Sequence, residues 1–455
     1  MLHKDVRYEK RVLPNGVPVY FALSPHATNL NVRAILSVGQ MAERPDQFGV
    51  AHALEHIVLT GTETRNAESI ARVNEEWGGY KSAATGNFNI SFDCSNDEGT
   101  YAKPTAAFDS AASGTLLAQK HALKMIDHIS DVILRPTFPA EAVRRELHSI
   151  RNEIGFRHDS DRYYYDHIIP KFLAAPYNRN VVGSKDEVSR LSRDTLTGFY
   201  DEHFVAENVA LYIAGPDMDI DALLEHAARS FKDLCSGPAH VKPDVALETN
   251  VMYAHNAFMM QNEAYVLFAP PPFRTPRDIS LHFFALGLSA DKVQGQMRTK
   301  RGSSYNYHID TLGIGNRSIF NLNARPDPSE TAATMTEFIR TFLDCAPDIE
   351  PSLYEANQKS RVFCEEQRVP ADAVSLMNAI TLAQNMFGDF RLLYDQSEVY
   401  QSLSREDASE YMRGILQNPL GTACLGPQPQ NMPALDDIRA MVTAAGQAFG
   451  PKPAI

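Results

Sequence analysis

LSRDTLTGFYDEHFVAENVALYIAGP, residues 191–216, is echoed by LSREDASEYMRGILQNPLGTACLGP, residues 403–427. Each stretch reads as a helix capped by a serine, followed by a short apolar strand that ends in Gly-Pro. The copies stand 403 − 191 = 212 residues apart at Leu-Ser-Arg and 426 − 215 = 211 apart at Gly-Pro, close to half of the 455-residue chain. A chain of that length exceeds what one hydrophobic core usually organises, so the period of the echo agrees with the expected number of domains. Two similar domains are predicted at 1–232 and 248–455, joined by a linker over 233–247 around CSGPAHVKPDVALETN.

The elements around the echo support an α+β fold. In the first half, RVLPNGVPVYFAL predicts a hairpin about Asn15-Gly16, and NLNVRAILSVG a strand. AESIARVNEEWGG predicts a helix ending at Gly78-Gly79, and SAATGNFNISFDC alternates as one strand. Long helices are expected at about 117–135 and 139–158. The second half offers a helix near 279–300, a hairpin in SSYNYHIDTLGIGNRSIFNLNAR, and helices near 330–344, 352–368 and 371–387. The expected product is two α+β layers, each a mainly antiparallel sheet faced by helices.

Composition narrows the function classes. The 43 Lys plus Arg against 56 Asp plus Glu leave a formal charge of −13, which argues against binding a nucleic-acid phosphate backbone. The five cysteines, Cys94, Cys235, Cys345, Cys364 and Cys424, form no CxxC pair and predict reduced, buried thiols. MLHKDVRYEKRVLPNG carries Asp5 and Glu9 and no apolar core, so neither a secretory signal nor an acid-poor presequence is expected. No 18-residue apolar run predicts a membrane span, and cytoplasm is the expected location. No P-loop, GxGxxG or GxSxG pattern supports nucleotide-dependent or serine-nucleophile chemistry.

GVAHALEHIVLTGT, residues 49–62, carries the chemistry. Val50, Ala53, Leu54, Ile57 and Val58 define an inward helix face, while His52, Glu55 and His56 share the roughly opposite side. Gly61 is a plausible stop. Imidazoles at i and i+4 sit one turn apart, close enough to share a metal ion, with the intervening Glu beside the same site. This His-x-x-Glu-His is the inverted form of the zinc-peptidase signature. A catalytic zinc needs a third protein ligand and an open position for water. RRELHSIRNEIGFR offers Glu146, His148 and Glu153 on one helix; Glu146 and Glu153 share a face about 10 Å apart along the axis, and His148 points elsewhere.

These residues resemble the insulinase/pitrilysin metallopeptidases, which include the mitochondrial processing peptidase. The likeness runs through GQMAERPDQFGVAHALEHIVLTGT, EEWGGYKSAAT, ILRPTFPAEAVRRELHSIRNEI and RTKRGSSY. It implies His52, His56 and Glu153 as zinc ligands, one ion per chain, with Glu55 as general base and Glu146 supporting the site. It also implies that Ser82, Ala83, Ala84 and Thr85 form an edge to which a peptide adds as a strand, although the family usually has Asn-Ala-x-Thr there. Arg298 and Tyr305 match a pair that reaches toward the substrate and the reacting carbonyl. The spacing from His56 to Glu153, 153 − 56 = 97, is longer than usual by a stretch placed in NDEGTYAKPTAAFDSAASG, read as a surface loop that reaches over the cavity mouth.

The function implied is a zinc endopeptidase acting on unfolded peptides or short polypeptides inside a chamber that four such domains enclose. This chain supplies two, so a homodimer is expected, with a heterodimer as the other arrangement. The alternative is a non-catalytic or partner-dependent subunit of a processing peptidase dedicated to one precursor. His121 and His128, seven apart, are read as structural, as is the packing of Tyr163, Tyr164 and Tyr165.

Overall fold

Asn15-Gly16 closes a hairpin with Gly16 at φ 92°, a left-handed conformation that suits glycine. The computed structural model describes residues 2–101, 111–158, 164–301, 307–314, 317–345, 349–393 and 396–448. The hairpin strands, β1 (Arg7–Val12) and β2 (Pro18–Leu23), pair antiparallel with Arg11 opposite Val19. The first sheet continues with β3 (Asn31–Leu36), β4 (Gly79–Thr85), β5 (Ile90–Asn96) and β6 (Val209–Gly215), in the order β1-β2-β6-β3-β5-β4. Only β2 and β6 run parallel; the other neighbours are antiparallel.

The second sheet repeats this plan. Its strands are β7 (Asn250–His255), β8 (Glu263–Phe268), β9 (Tyr307–Ile314), β10 (Arg317–Ala324) and β11 (Pro419–Gly426), ordered β7-β11-β8-β10-β9. β6 and β11, the strands of the echoed sequence, hold the same place: each is parallel to one neighbour and antiparallel to the other. The helices before them, Arg193–His203 and Arg405–Leu416, are capped by Ser192 and Ser404.

SAATGNFNISFDC is two strands, not one. Gly86 N bonds back to Asn89 O, so the chain reverses there, and the alternation continues through both arms of the β4–β5 hairpin. The helix expected to run to Gly78 is shorter: Ala67–Arg72 is α-helical, Val73–Glu76 is a 3-10 turn, and Gly79 already belongs to β4. The other expected helices are present, including Ala111–Leu134, Ala140–His158, Pro276–Arg301 and Thr331–Cys345, the first of these beginning inside the stretch read as a surface loop; Ile220–Ser230 and Leu435–Ala448 were not expected.

Two compact units result, interleaved in sequence. Met1–His167, Arg179–Asp244 and Cys364–Asp395 make the first; Ile168–Asn178, Val245–Phe363 and Gln396–Ile455 make the second. The contiguous spans predicted from sequence do not describe this exchange. Its consequence is visible in the first sheet, whose faces are both covered. One face joins the main core with Phe21, Val32 and Ile213; the other packs Tyr20, Ala22, Ile35 and Tyr212 against Ala373, Leu376, Met377 and Ile380 of the helix Ala373–Phe387. Burial on both faces explains why PVYFAL reads as an unbroken apolar run. Asn29 fixes that helix, donating from Nδ2 to Asp372 Oδ1 (2.8 Å) and accepting at Oδ1 from Ala373 N (2.7 Å). No helix among the described residues is long and apolar enough to cross a membrane. Cys94, Cys235, Cys364 and Cys424 are free thiols, with Cys94 and Cys424 buried and Cys235 exposed; the side chain of Cys345 lies outside the described residues.

Candidate metal centre

The helix α1 (Val50–Ile57) buries Val50, Ala53, Leu54 and Ile57 in the core, as its apolar stripe requires. Its first turn is built around a buried carboxylate. Glu43 accepts from Gly49 N and Ala51 N, both at 3.0 Å, so two of the N–H groups orphaned at a helix start find an anion. Arg179 Nη1 donates to the same carboxylate (2.8 Å), and its guanidinium lies over the Phe48 ring at 3.6 Å from the centroid. Burial pushes the Glu43 carboxyl up to about 7, against the opposing pull of Arg179 and the two amides. Gly49 sits at φ 89°, and a Cβ there would stand 3.1 Å from Val188 Cγ2. The position is therefore restricted to glycine by conformation and by space.

From that start, α1 projects His52 and His56 from one face, with ring centroids 4.8 Å apart. A second helix, α2 (Ala140–His158), brings Glu153 to them. His52 Nε2 lies 3.7 Å from Glu153 Oε1, and His56 Nε2 lies 3.4 Å from Glu153 Oε2. All three ligand atoms fall within 4.8 Å of one another, and among the described residues no other cluster of three His, Cys, Asp or Glu converges in this way. Two ligands about 2.0–2.2 Å from one ion at the tetrahedral angle stand about 3.3–3.6 Å apart, and the 3.4 and 3.7 Å separations from Glu153 to the two imidazoles lie close to that spacing, so this donor set suits a zinc ion. His52 is 4% exposed and its Nδ1 has no hydrogen-bond partner among the described residues. Burial first, then the neighbouring His56 and Arg157, pushes its pKa down to about 3 and keeps the ring neutral, the form that ligates.

Glu55 lies beside the cluster and accepts from Thr85 Oγ1 at 2.7 Å. Burial raises its pKa, opposed by that hydrogen bond and by His56. Glu146 stands on α2 two turns before Glu153, its Oε2 3.9 Å from His56 Nδ1. A cavity of about 400 Å3 opens next to Glu55, His56 and Glu146, walled by Leu59, Ser82 and Ala83 among others. Ser82 and Ala83 belong to β4, which is the edge of its sheet, and Ala84 of the same strand is exposed.

Three features of the site escaped the sequence reading. Thr85 holds the carboxylate of Glu55, in addition to its place on the edge strand. Glu43 and Arg179 anchor α1. Arg157 donates from Nη1 to Glu153 Oε1 (3.1 Å), and its Nε and Nη2 grip buried Asp166 at 2.6 and 2.8 Å. The position of Arg157, four residues after Glu153 on one helix, was a legible signal for that contact. Nothing local marks Asp166.

Among the described residues, the others singled out in the sequence are not ligands in the cluster. His148 is exposed on α2, away from the ligands. His121 Nδ1 pairs with Tyr101 Oη at 2.7 Å. His128 is buried, accepts from Arg65 Nη1 at 3.3 Å, and also walls the cavity, a position its structural reading did not foresee. Tyr164 is buried, whereas Tyr163 and the side chain of Tyr165 lie outside the described residues. Arg298 falls on the helix Pro276–Arg301, but its side chain, like all of Tyr305 and residues 102–110 of the stretch expected to form a loop, lies outside the described residues.

Residues 20–185 match the family model described as Insulinase (Peptidase family M16), and residues 190–358 match that described as Peptidase M16 inactive domain. An uncharacterized zinc protease of Rickettsia bellii is 27% identical over 50% of this chain and 50% of its own length, so the chain spans about half the length of that relative. An uncharacterized zinc protease of Mycobacterium tuberculosis is 24% identical over 95% of this chain and 96% of its own. Among solved structures, a protease from Helicobacter pylori shares the fold with a TM-score of 0.78 at 15% identity, covering 93% of this chain and 100% of that one.

Proposed function

Because this chain belongs to the insulinase family of peptidases, we propose that it is a zinc-dependent endopeptidase that hydrolyses unfolded peptides or short polypeptides. The observation that carries the proposal is the convergence of His52, His56 and Glu153, with Glu55 and His56 lining the adjoining cavity. In this reading the three ligands hold one zinc ion per chain. When bound, zinc polarises the scissile carbonyl and lowers the pKa of its water toward about 7.

The chain's own residues supply the rest. Glu55, held by Thr85, takes the proton of the attacking water and passes it to the leaving amine. A carboxyl whose pKa is raised by burial is better matched to accepting and returning a proton near neutrality than an ordinary one. Ser82, Ala83, Ala84 and Thr85 offer the unpaired edge of β4, to which an extended peptide adds by main-chain hydrogen bonds that need no particular side chain. Glu146 supports His56 from Nδ1, the nitrogen opposite the one that faces Glu153. Arg298 and Tyr305 are assigned as donors to the oxyanion of the tetrahedral intermediate. A second copy of the chain completes the chamber, and the free thiols fit work in the cytoplasm.

The test is Glu55→Gln. Zinc content measured on the purified variant should equal that of the parent, while turnover of a quenched unfolded peptide falls by roughly 10²–10⁴-fold. Undiminished turnover would refute the base assignment. A parent protein that takes up no zinc and cleaves nothing would instead favour the non-catalytic subunit.

A further inference from the structure

We propose that Arg157 and Asp166 form a charge-balanced positioning pair for Glu153, so that the metal centre depends on both together and not on Arg157 alone. This rests on the reading that His52, His56 and Glu153 hold zinc.

A glutamate on a helix surface samples several rotamers, and ordering it costs free energy that a ligand must otherwise repay. Glu153 has about a third of its side chain exposed, so packing alone does not fix it. Arg157 does. Its planar guanidinium is locked by a two-bond grip on Asp166, from Nε to Oδ2 at 2.6 Å and from Nη2 to Oδ1 at 2.8 Å. That grip sets the plane of the fork and aims the remaining Nη1 at Glu153 Oε1, 3.1 Å away. Oε1 is thereby engaged, and Oε2 is presented 3.4 Å from His56 Nε2.

Orientation by a cation has a drawback next to a metal site, because a guanidinium within hydrogen-bond distance of a ligand repels a divalent ion. Asp166 answers it. Its carboxylate is 3% exposed, where its charge is poorly screened, and both oxygens face the guanidinium. The pair thus orients the ligand without adding net charge to the site. Lysine at 157 would keep the charge and lose the fork, so it is not an equivalent residue.

The experiment measures zinc affinity by competition with a chromophoric chelator, and the d–d absorption of the cobalt-substituted protein, for the full chain and three variants. Arg157→Gln should weaken zinc binding by about 10–100-fold, the usual effect of losing an outer-shell partner, and alter the cobalt spectrum. Asp166→Asn should weaken it by a similar factor, because the grip that sets the plane of the guanidinium is lost. The double variant Arg157→Gln/Asp166→Asn should bind no more weakly than Arg157→Gln, because both residues act on Glu153 through the one contact from Arg157 Nη1. That double variant removes both members of the ion pair together, so it remains informative where Asp166→Asn alone fails to fold. Zinc affinity within threefold of the parent in the double variant, or losses that simply add, would overturn the pair. A parent that binds no zinc would overturn the metal site itself, a distinct result.

Discussion

Each unit carries a helix in the connection between the same two strands of its sheet, and each of those helices buries a histidine. Between β3 and β4 the connection contains α1 with His52; between β8 and β9 it is the helix Pro276–Arg301 with His282. Both rings are desolvated and held neutral, with pKa values pushed down to about 3 and about 4. Their surroundings differ. His282 has both nitrogens engaged, Nδ1 with Tyr411 Oη at 2.9 Å and Nε2 with Thr311 Oγ1 at 2.8 Å. His52 keeps Nε2 turned to a carboxylate oxygen at 3.7 Å, too far for a hydrogen bond and close enough to share an ion. A buried neutral imidazole is therefore not in itself a site. What distinguishes the first unit is an uncommitted lone pair aimed at a second ligand.

The largest effect should come from removing a ligand from the first unit. His56→Ala and Glu153→Gln should each take zinc from one ion per chain to a trace at micromolar metal, a loss beyond the roughly 10–100-fold typical of outer-shell changes. Peptidase activity should disappear with the metal. His282→Gln should leave zinc content unchanged, and elemental analysis of all three proteins decides. Zinc lost in the His282 variant would break the contrast.

The next effect is a pH dependence that belongs to the second unit. His282 is fully buried and its folded pKa lies below the unfolded value of about 6.5. The stability associated with its neutral form is present above about pH 6.5 and is lost as pH falls from there toward about 4. Lowering the ring from about 6.5 to about 4 on folding corresponds to roughly 3 kcal/mol. Glutamine at 282 removes that titration. Urea unfolding should find His282→Gln less stable than the parent by about 1–3 kcal/mol at pH 7, with the gap narrowing at pH 4.5. Parallel losses in both proteins across that interval would show that the ring is not held neutral by the fold.

How much of this was legible follows from the range of each interaction. The α1 motif, the hairpin at Asn15-Gly16 and the echo of β6 in β11 are local patterns, and the chain states them within a dozen residues or two. The break between β4 and β5 lies at Gly86-Asn87, a turn signal that the continuing alternation on either side concealed. The placement of Ala373–Phe387 on the first sheet depends on residues more than 300 positions away, such as Asn29, and no periodicity announces it. Thr85, Arg179 and Asp166 belong to the same class. Each is an ordinary polar residue until the fold sets it against Glu55, Glu43 or Arg157.

The smallest effect tests the duplication rather than the chemistry. Ser192 Oγ accepts from Thr195 N at 3.1 Å, and Ser404 Oγ accepts from Asp407 N at 3.1 Å, so the two caps do the same job at equivalent helices. The second also has the reciprocal bond, in which Asp407 Oδ2 accepts from Ser404 N at 2.7 Å, whereas Thr195 has no carboxylate to return one. Alanine at either position removes one accepted bond and should cost about 1 kcal/mol. Because the caps share no hydrogen-bond partner, the double variant should lose the sum. Removing the reciprocal bond with Asp407→Ala should add a loss of similar size in the second copy only, since it also releases Arg277. If Ser192→Ala proved much the costlier change, the two helices would not be energetic equivalents, and the likeness of the halves would end at strand order.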